Sequence, residues 1–321
     1  MNIAVIMAGG QGTRFWPLST KDKPKQLLKL FSSKTLIEET VNRLKNTKLY
    51  DEIYIVTNIK LAKKIEEVLV DFKNILIEPE SKDTSFCISY AAQELVKKYG
   101  MDIHISIFPS DHLIRNDEEF RLSIEKALKY DENIVIMGIK PSYAETAYGY
   151  IHYEKDNVLE FREKPNRDTA QSYLEEGHYL WNSGMLFTKA KVLLEEIKKY
   201  IPDHYNLLSS AKKISFDIGV LEKTKLCKVV PVSFEWSDVG SFSSLDKIFS
   251  KDENESIVRS DAKYIGLNAK KNIIINKEDK KNIVVIGLDD VIVVNTQDNI
   301  LICPKKCDQE IKKIAGILDE K

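Results

Sequence analysis

The chain has 321 residues, of which 43% are hydrophobic and 30% charged, and its net charge is −1 at pH 7. This length favours one large domain and a smaller second one, and the balanced charge gives no indication of a nucleic-acid or membrane surface. Met1 leads into a strand-like run without a basic signal region, and no apolar run approaches the ~20 residues of a membrane span. We therefore expect a cytoplasmic protein with reduced cysteines, and neither nucleic acid nor membrane as a partner.

Up to about Lys140 the sequence alternates strand-like and helical patterns. The predicted strands are Asn2 to Met7, Glu52 to Thr57, Asn74 to Ile77, Ile103 to Phe108 and Ile134 to Ile139. The predicted helices are Thr35 to Asn46, Leu61 to Phe72, Thr84 to Tyr99 and Asp117 to Tyr130. This alternation predicts an α/β fold with a Rossmann-like, mostly parallel mixed sheet flanked by helices.

The second half of the chain has a weaker pattern. One helix (Ala190 to Tyr200) and one strand (Lys228 to Phe234) are still recognisable. From about residue 256 short apolar segments alternate with Asn, Asp, Lys and Gly turns, and no helical period returns before Gln309. We predict a large domain over residues 1–255 and a small β domain over residues 256–321. The small domain packs on the large one or on a second subunit, because it is short of core by itself.

A glycine-rich loop follows the first predicted strand. Its string Gly9-Gly10-Gln11-Gly12-Thr13-Arg14 lacks the G-K-[ST] ending of a P-loop, and Phe15 stands where a dinucleotide-binding loop needs its third glycine. Parallel sheets bind ligands at the carboxyl ends of their strands, where glycine amides together with Arg14 and Lys25 could hold phosphate oxygens. A turn with two solvated cations would explain GGxG alone, but the longer string through Pro24-Lys25-Gln26 favours a phosphate-bearing ligand.

This loop resembles the signature of the sugar-nucleotide pyrophosphorylases (nucleotidylyltransferases). Its FWPLS and PKQ portions are most similar to the mannose-1-phosphate guanylyltransferase branch. Further family motifs follow in order: Glu78-Pro79, Phe108 to His112, Tyr148 to Ile151, Glu163 to Pro165, Trp181 to Gly184 and Trp236 to Ser241. The resemblance covers about residues 1–249. It implies that the large domain is catalytic, and that the tail is a short left-handed β-helix that helps subunits associate into a homodimer.

The resemblance also implies roles for individual residues. The expected nucleotide-binding residues are Ala8, Gly9, Gly10, Gly12, Thr13, Glu78, Thr84 and Ser110. The expected catalytic residues are Arg14, Lys25 and Lys164, the expected sugar-binding residues are Gly149, Glu163, Asn182 and Gly184, and Asp111 and Asp238 are the expected ligands of Mg²⁺. Taken alone, Glu163-Lys164-Pro165 is typical of a polar turn, and Trp181 to Gly184 is typical of a turn as well. Each of the two aspartates, taken alone, is typical of a turn at the end of a strand.

The reaction that the resemblance implies is transfer of a guanylyl group from GTP to mannose 1-phosphate. The sequence departs from the usual motif of this branch at two positions, where Lys82 and Asp83 replace arginine and asparagine. These replacements leave open which nucleotide and which sugar 1-phosphate are the substrates. Lysine lacks the bidentate fork of arginine, and aspartate lacks the amide donors of asparagine. A sugar-nucleotide-binding regulatory subunit is a rival hypothesis, but it would be marked by loss of the expected cations or metal ligands, which are all present. A NAD-linked dehydrogenase is disfavoured by the missing third glycine.

Overall fold

The computed structural model describes residues 1–10 and 12–319. Its internal contacts divide the chain into two units, neither of which is continuous in sequence. The first unit consists of Met1–Gly9 and Ile37–Trp236, and the second of Gly10–Leu36 together with the chain from Ser237 onward. Most of the glycine-rich loop is therefore grouped with the C-terminal residues, which a linear boundary at residue 255 cannot express. That boundary itself stays a prediction.

The first unit contains strands and helices in alternation. Its strands are β1 (Asn2–Met7), β2 (Glu52–Thr57), β3 (Ile75–Ile77), β4 (His104–Pro109), β5 (Leu113–Arg115), β6 (Ile134–Ile139), β7 (Tyr150–Glu154), β8 (Asn157–Arg162), β9 (Tyr179–Lys189), β10 (Cys227–Val232) and β11 (Glu235–Ser237). Its helices are α1 (Leu36–Thr47), α2 (Ile59–Val68), α3 (Asp83–Tyr99), α4 (Asp117–Ala127), α5 (Arg167–Glu176), α6 (Ala190–Tyr200) and α7 (Pro202–Tyr205).

Within the described residues, nine strands form one mixed sheet in the order β3-β2-β1-β4-β9-β6-β10-β8-β7. Strands β1, β2, β3 and β4 pair in parallel, as do β6 and β10, whereas β9 runs antiparallel to both β4 and β6. Fully buried residues of β1, such as Ile3 and Val5, belong to the main hydrophobic core of this unit. The predicted α/β fold with a mostly parallel mixed sheet is confirmed.

Several helices begin at residues that the sequence marks. The side chain of Asn58 accepts hydrogen bonds from the amides of Lys60 and Leu61 at the start of α2, and Asn116 and Asn166 cap α4 and α5 in the same way. By contrast, the tetrapeptide Trp181 to Gly184, which taken alone is typical of a turn, lies inside the 11-residue strand β9. Gly184, at φ 73°, provides the local irregularity without ending the strand.

The second unit contains irregular chain followed by a coil of short strands. Short helical turns occur at Thr13–Phe15, Lys25–Leu27, Phe242–Lys247 and Lys305–Glu310. The strands are β12 (Ile257–Ser260), β13 (Tyr264–Leu267), β14 (Ile273–Asn276), β15 (Ile283–Ile286), β16 (Val291–Asn295) and β17 (Ile300–Pro304), and helix α8 (Ile311–Asp319) follows them.

The strands of the second unit stack in parallel from one turn of the coil to the next. β12 pairs with β14 and β14 with β16, while β13 pairs with β15, which is the pattern of a β-helix. Buried asparagines hydrogen-bond to the backbone between the strands: the Asn272 amide donates to the Leu288 carbonyl at 2.9 Å and the Asn276 amide to the Lys281 carbonyl at 2.6 Å. The predicted β domain is confirmed, while the left hand of its coil stays a prediction.

Within the described residues, no helix combines the length and the apolar character that crossing a membrane requires. The four cysteines, Cys87, Cys227, Cys303 and Cys307, are all free thiols, as expected.

Candidate active site

Four of the residues expected to bind the sugar or its phosphate lie together in the first unit. Glu163 and Lys164 directly follow β8, and the Lys164 ammonium lies 2.7 Å from Oε1 of Glu163. A Cβ at Gly149 would lie 2.8 Å from both Oε2 of Glu163 and Cζ of the buried Phe161 ring, so this position favours glycine. The backbone amide of Asn182 donates to the carbonyl of Gly149 at 2.8 Å, which joins β9 to the same group of residues.

Both the nitrogen and the oxygen of the Asn182 side-chain amide form hydrogen bonds within the protein. Its Nδ2 donates to Oδ1 of Asp217 at 2.8 Å, and its Oδ1 accepts from the amide of Gly184 at 3.1 Å. These two bonds fix which way the amide faces, so the donor and acceptor capacity that remains has a defined direction. The expected sugar residues Gly149, Glu163, Asn182 and Gly184 are thus brought together by the structure.

Asp217 belongs to this group and was missed in the sequence. It begins a π-helical turn, Asp217–Leu221, which no periodicity in the sequence indicates. Burial and the neighbouring Glu163 carboxylate together raise the pKa of the Asp217 carboxyl to about 7, against the opposing effect of the Lys164 ammonium. The only sequence signal was an acidic residue between two apolar ones, Phe216 and Ile218.

The start of the glycine-rich loop and the Glu78 motif also meet in the first unit. Ala8 is held at the end of β1, where its carbonyl accepts the Thr57 hydroxyl at 2.7 Å. A Cβ at Gly9 would lie 3.7 Å from Oε1 of Glu78, so the two residues are neighbours. Burial raises the pKa of the Glu78 carboxyl, and a 2.7 Å hydrogen bond from the Ser81 hydroxyl opposes that rise.

The other two nucleotide residues expected in this unit are engaged by the protein itself. The hydroxyl oxygen of Thr84 accepts the Phe216 amide at 2.8 Å, which ties the start of α3 to the residue before Asp217. Ser110 is buried, and its carbonyl accepts the Thr40 hydroxyl at 3.3 Å. Both residues therefore position backbone segments in this structure.

Lys82, the residue that departs from the family pattern, is engaged with neighbouring backbone. Its ammonium donates to the carbonyls of Leu208 and Ser209 and lies 2.9 Å from the Glu80 carboxylate. Asp83 has φ 68° and accepts the Thr84 amide through Oδ1 at 2.8 Å. Lysine and aspartate thus contribute to the local fold at these two positions.

In the second unit, the loop residues pack tightly around Lys25. Gly12 has φ 62°, and a Cβ there would lie 2.2 Å from Cβ of Lys25, so no other residue fits. The Ser19 hydroxyl donates to the Gly12 carbonyl at 2.6 Å. Thr13 and Arg14 lie on the short turn that follows Gly12, and both are partly buried. Gly10, by contrast, has open space where a side chain would be.

Lys25 and the predicted metal ligand Asp238 are in direct contact within the second unit. The side chain of Lys25 is only 6% exposed, and its ammonium donates to the backbone carbonyl of Asp238 at 2.6 Å. The Gly240 amide donates to Oδ1 of Asp238 at 3.1 Å, which orients the carboxylate. One expected phosphate-binding cation is therefore anchored to the backbone of one expected metal ligand.

Of the two predicted metal ligands, Asp111 lies where expected in the topology and Asp238 does not. Asp111 follows β4, as predicted, and the neighbouring His112 accepts the Trp236 indole N–H at 3.2 Å. The strand predicted at Lys228 to Phe234 ends at Val232, and Asp238 directly follows the separate short strand β11, which pairs with β5. Asp111 belongs to the first unit and Asp238 to the second.

Carboxylates are ligands that suit Mg²⁺, which commonly takes one or two of them and completes its shell with water and substrate oxygens. Asp111 and Asp238 fit that donor set. Among residues 1–10 and 12–319, no group of three or more His, Cys, Asp and Glu side chains forms a candidate metal site. A metal with a cage made entirely of protein side chains is not indicated there, and the use of both aspartates by one ion stays a prediction.

The sequence of the chain matches known protein families and individual relatives. The model of the family described as nucleotidyl transferase matches residues 3–255, and that of the mannose-phosphate isomerase/GMP-like β-helix domain matches residues 262–318. A mannose-1-phosphate guanylyltransferase of Salmonella montevideo is 35% identical, over 97% of this chain and 72% of its own. The alginate biosynthesis protein AlgA of Pseudomonas aeruginosa is 32% identical, over 99% of this chain and 72% of its own.

A solved structure shows the same architecture over its whole length. The crystal structure named mannose-1-phosphate geranyltransferase, from Thermus thermophilus, superposes with a TM-score of 0.89 and is 28% identical, covering 99% of both chains. The family model spans more than half of the chain, and the sequence relatives exceed 30% identity over nearly all of it. The chain therefore belongs to the nucleotidyl transferase family.

Proposed function

We propose that this protein transfers a guanylyl group from GTP to mannose 1-phosphate, giving GDP-mannose and pyrophosphate. The observation that carries the proposal is the match of nearly the whole chain to relatives named mannose-1-phosphate guanylyltransferase. The cluster around Glu163, Lys164 and Asn182 supports it, because it combines a carboxylate, an ammonium and an oriented amide. A phosphorylated sugar offers hydroxyl groups to the first and third of these and an anionic phosphate to the second.

The chemistry requires no general base. A phosphate oxygen of mannose 1-phosphate attacks the α-phosphorus of GTP, and the bond from that phosphorus to the bridging oxygen of the β-phosphate breaks. Pyrophosphate leaves with the bonding electrons, and no proton need move in this step. Two polyanions have to be aligned against their mutual repulsion, so fixed positive charge and backbone amides are the groups that matter.

Each part of the reactants is assigned to residues of this chain. Lys164 contacts the sugar phosphate and Glu163 accepts hydrogen bonds from the sugar hydroxyls. Asn182 both donates hydrogen bonds to these hydroxyls and accepts hydrogen bonds from them. Arg14 and Lys25 bind phosphate oxygens of the nucleotide. The amides at the glycine-rich loop and the carboxylate of Glu78 serve the rest of the nucleotide, with Thr84 and Ser110 holding the neighbouring backbone.

We assign Asp111 and Asp238 as the ligands of a divalent metal, and we propose Mg²⁺ as that metal. When bound, such an ion neutralises negative charge on the phosphate oxygens. The contact between the Lys25 ammonium and the carbonyl of Asp238 supports this assignment, since Lys25 is the cation that we assign to the nucleotide phosphates. Mn²⁺ binding by the wild type and by Asp111→Asn, followed by electron paramagnetic resonance, tests it independently of turnover.

We also propose that the protein is a cytoplasmic homodimer. Free thiols at all four cysteines are typical of a reducing compartment. Strands β13 and β15 present Ile265, Leu267, Val284 and Ile286 to solvent, and each is more than 40% exposed. A second copy of the chain would cover this apolar face. Sedimentation at micromolar concentration tests the dimer, and a monomer there contradicts it.

The substrate assignment is tested by supplying each nucleoside triphosphate in turn with mannose 1-phosphate and following pyrophosphate release. GTP is expected to give the fastest turnover. Turnover with UTP or dTTP and none with GTP would contradict the guanylyl assignment. Glucose 1-phosphate replaces mannose 1-phosphate in a parallel series. Asp111→Asn, with its fold checked by circular dichroism, separates an enzyme from a regulatory binder, since only an enzyme loses turnover by orders of magnitude.

A further inference from the structure

The second unit combines the loop that carries Arg14 and Lys25 with the C-terminal end of the chain. The turn Thr13–Phe15 contacts both α8 and the turn Lys305–Glu310. The ring of Phe15 packs on that of Phe242 with centroids 4.9 Å apart, and both rings are fully buried. Residues more than 200 positions apart in the sequence therefore share one small core around the expected phosphate-binding loop.

At the centre of these contacts lies a buried carboxylate, Asp308. It is 6% exposed, and its Oδ2 accepts the Ser241 hydroxyl at 2.5 Å and the Ser243 amide at 3.2 Å. A second connection runs through Lys305, whose ammonium lies 2.7 Å from a carboxylate oxygen of Asp246. The C-terminal turn thus holds the start of the turn Phe242–Lys247 by charge-assisted hydrogen bonds, which are stronger than neutral ones.

The segment that Asp308 holds begins three residues after Asp238. Between them, Val239 is fully buried and has φ 49°, a left-handed conformation that a β-branched residue rarely adopts. Such strain persists only where surrounding contacts fix it. A Cβ at Gly240 would lie 2.8 Å from Oδ2 of Asp238, so the backbone here folds directly against the carboxylate.

The same segment is anchored on its other side by Lys25. The Lys25 ammonium donates to the Asp238 carbonyl, and the Ser237 hydroxyl accepts the Val239 amide at 3.1 Å. Loss of the bonds to Asp308 would remove the hydrogen bonds nearest to the strained turn on its C-terminal side and leave more distant contacts, such as the packing of Phe242 on Phe15. The position of the Asp238 carboxylate, and of the Lys25 ammonium attached to its carbonyl, would then be less well defined.

We propose that Asp308 is a positioning residue for nucleotidyl transfer, which holds the Ser241–Ser243 backbone and through it Asp238 and Lys25. This role rests on the proposed function, in which Asp238 binds the metal and Lys25 the triphosphate. It gives the C-terminal segment a part in assembling the active site, separate from any part in subunit association. The sugar-binding residues belong to the first unit, so binding of mannose 1-phosphate should not depend on Asp308.

The test compares Asp308→Ala and Asp308→Asn with the wild type. Mn²⁺ binding in the presence of GTP, measured by electron paramagnetic resonance, reports on Asp238 without turnover. Turnover as a function of Mg²⁺ and of mannose 1-phosphate is measured in parallel.

Asp308→Ala should weaken Mn²⁺ binding and raise the half-saturating Mg²⁺ concentration by about tenfold, as expected for loss of ~1.4 kcal/mol. Asp308→Asn, which retains an acceptor oxygen, should lose less, and the KM for mannose 1-phosphate should not change in either variant.

Asp298→Ala is the matched control, because Asp298 is an exposed aspartate on the turn between β16 and β17. Ser241→Ala removes one bond to Asp308 and keeps the test decisive even if Asp308→Ala fails to fold. Ser241→Ala should weaken Mn²⁺ binding and raise the half-saturating Mg²⁺ concentration by less than Asp308→Ala does. The double variant Ser241→Ala/Asp308→Asn should be less than additive, since both changes act on one contact.

Equal Mn²⁺ affinity in the wild type and in folded Ser241→Ala and Asp308→Asn would overturn the role of Asp308. So would a loss of activity that only tracks the fraction of unfolded protein, with unchanged Mg²⁺ dependence. A wild type that binds Mn²⁺ but gives no sugar nucleotide from GTP and mannose 1-phosphate contradicts the proposed function instead. The two failures are therefore distinguishable.

Discussion

In the first unit the residues assigned to the sugar lie on strands of the nine-stranded sheet or next to them. In the second unit those assigned to the phosphates lie on short helical turns within irregular chain. Asn182 is part of β9, and Glu163 and Lys164 follow β8, so the strand ladder fixes their backbone. Arg14 and Lys25 have no such ladder, and their loop is fixed by contacts with the remote C-terminal segment. A loop that must approach phosphate closely cannot be a regular strand, so its support has to come from elsewhere.

This contrast implies that changes in the two regions should affect different kinetic quantities. Changes in the sugar cluster should act on the KM for mannose 1-phosphate. Changes around Lys25 should act on the rate of transfer and on the metal dependence. A variant in one region that altered the other region's quantity would weaken the comparison.

The largest effect is expected for Lys25→Ala. It removes a buried ammonium assigned to the nucleotide phosphates, and loss of one such charge-stabilising group typically lowers kcat ~10²–10³-fold. The KM for mannose 1-phosphate should stay near that of the wild type. Steady-state kinetics with both substrates varied would measure this, with the exposed Lys23→Ala as the control on the same loop. If the kcat of Lys25→Ala equalled that of the wild type, the assignment of Lys25 to the nucleotide phosphates would be wrong.

A smaller, selective effect is expected for Gly149→Ala. The new methyl group would lie 2.8 Å from Oε2 of Glu163, so the Glu163 side chain has to move. Overpacking of this kind costs about 1–3 kcal/mol, and a loss of that size in sugar binding raises the KM for mannose 1-phosphate by roughly 5- to 150-fold. The KM for GTP should not change. Gly316→Ala, where a side chain meets open space, is the control, and an equal rise in both KM values would contradict the prediction.

Asp217 provides a pH-dependent test of the sugar cluster. Its pKa is about 7 in the folded protein, above the ordinary value of 3.8, because of burial and the Glu163 carboxylate, with Lys164 opposing and Asp83 adding a further rise. Its contribution to the free energy of unfolding is therefore most favourable at low pH and is lost as pH rises toward and through 7. Asparagine does not titrate, so Asp217→Asn does not lose this stabilisation as the pH rises. The free energy of unfolding of the variant should therefore increase relative to that of the wild type between pH 5 and pH 8.

Urea denaturation of both proteins at the two pH values measures that difference. Asp203→Asn, at an exposed aspartate of α7, is the control and should show no such gain. If the stability difference between Asp217→Asn and the wild type were the same at both pH values, the Asp217 carboxyl would not titrate as described.

The smallest effect is expected for Lys82→Arg, which restores the residue usual in the guanylyltransferase branch. Because the Lys82 ammonium is engaged by the carbonyls of Leu208 and Ser209, the KM for GTP should change by no more than about twofold, the scale of a substitution that removes no special feature. The ratio of turnover with GTP to that with UTP is the readout. A large increase in that ratio would show that residue 82 selects the base.

The sequence predicts the regular parts of the fold well. The bounds of β2, β6 and α6 are those expected from their apolar patterns, because each is a continuous run with one clear period. Strand β9 was missed at Trp181 to Gly184, since a glycine and two small polar residues in a row are typical of a turn. Pairing of this segment with β6 and β7 overrides that preference.

The site residues were predicted where they belong to a motif and missed where they do not. Glu163 and Asn182 stand in recognisable strings, and the structure brings them together. Asp217 reaches Asn182 only through a π-helical turn, which has no sequence signature. Asp308 reaches Ser241 from 67 residues away, and such a long-range contact cannot be inferred from local periodicity.

The most direct test of the central claim follows the phosphorus atoms of GTP during the reaction with mannose 1-phosphate. Attack at the α-phosphorus places an α-phosphorus label in GDP-mannose and a γ-phosphorus label in pyrophosphate, and the account predicts both. Transfer of neither label to these products, or release of the γ label as inorganic phosphate, would contradict it.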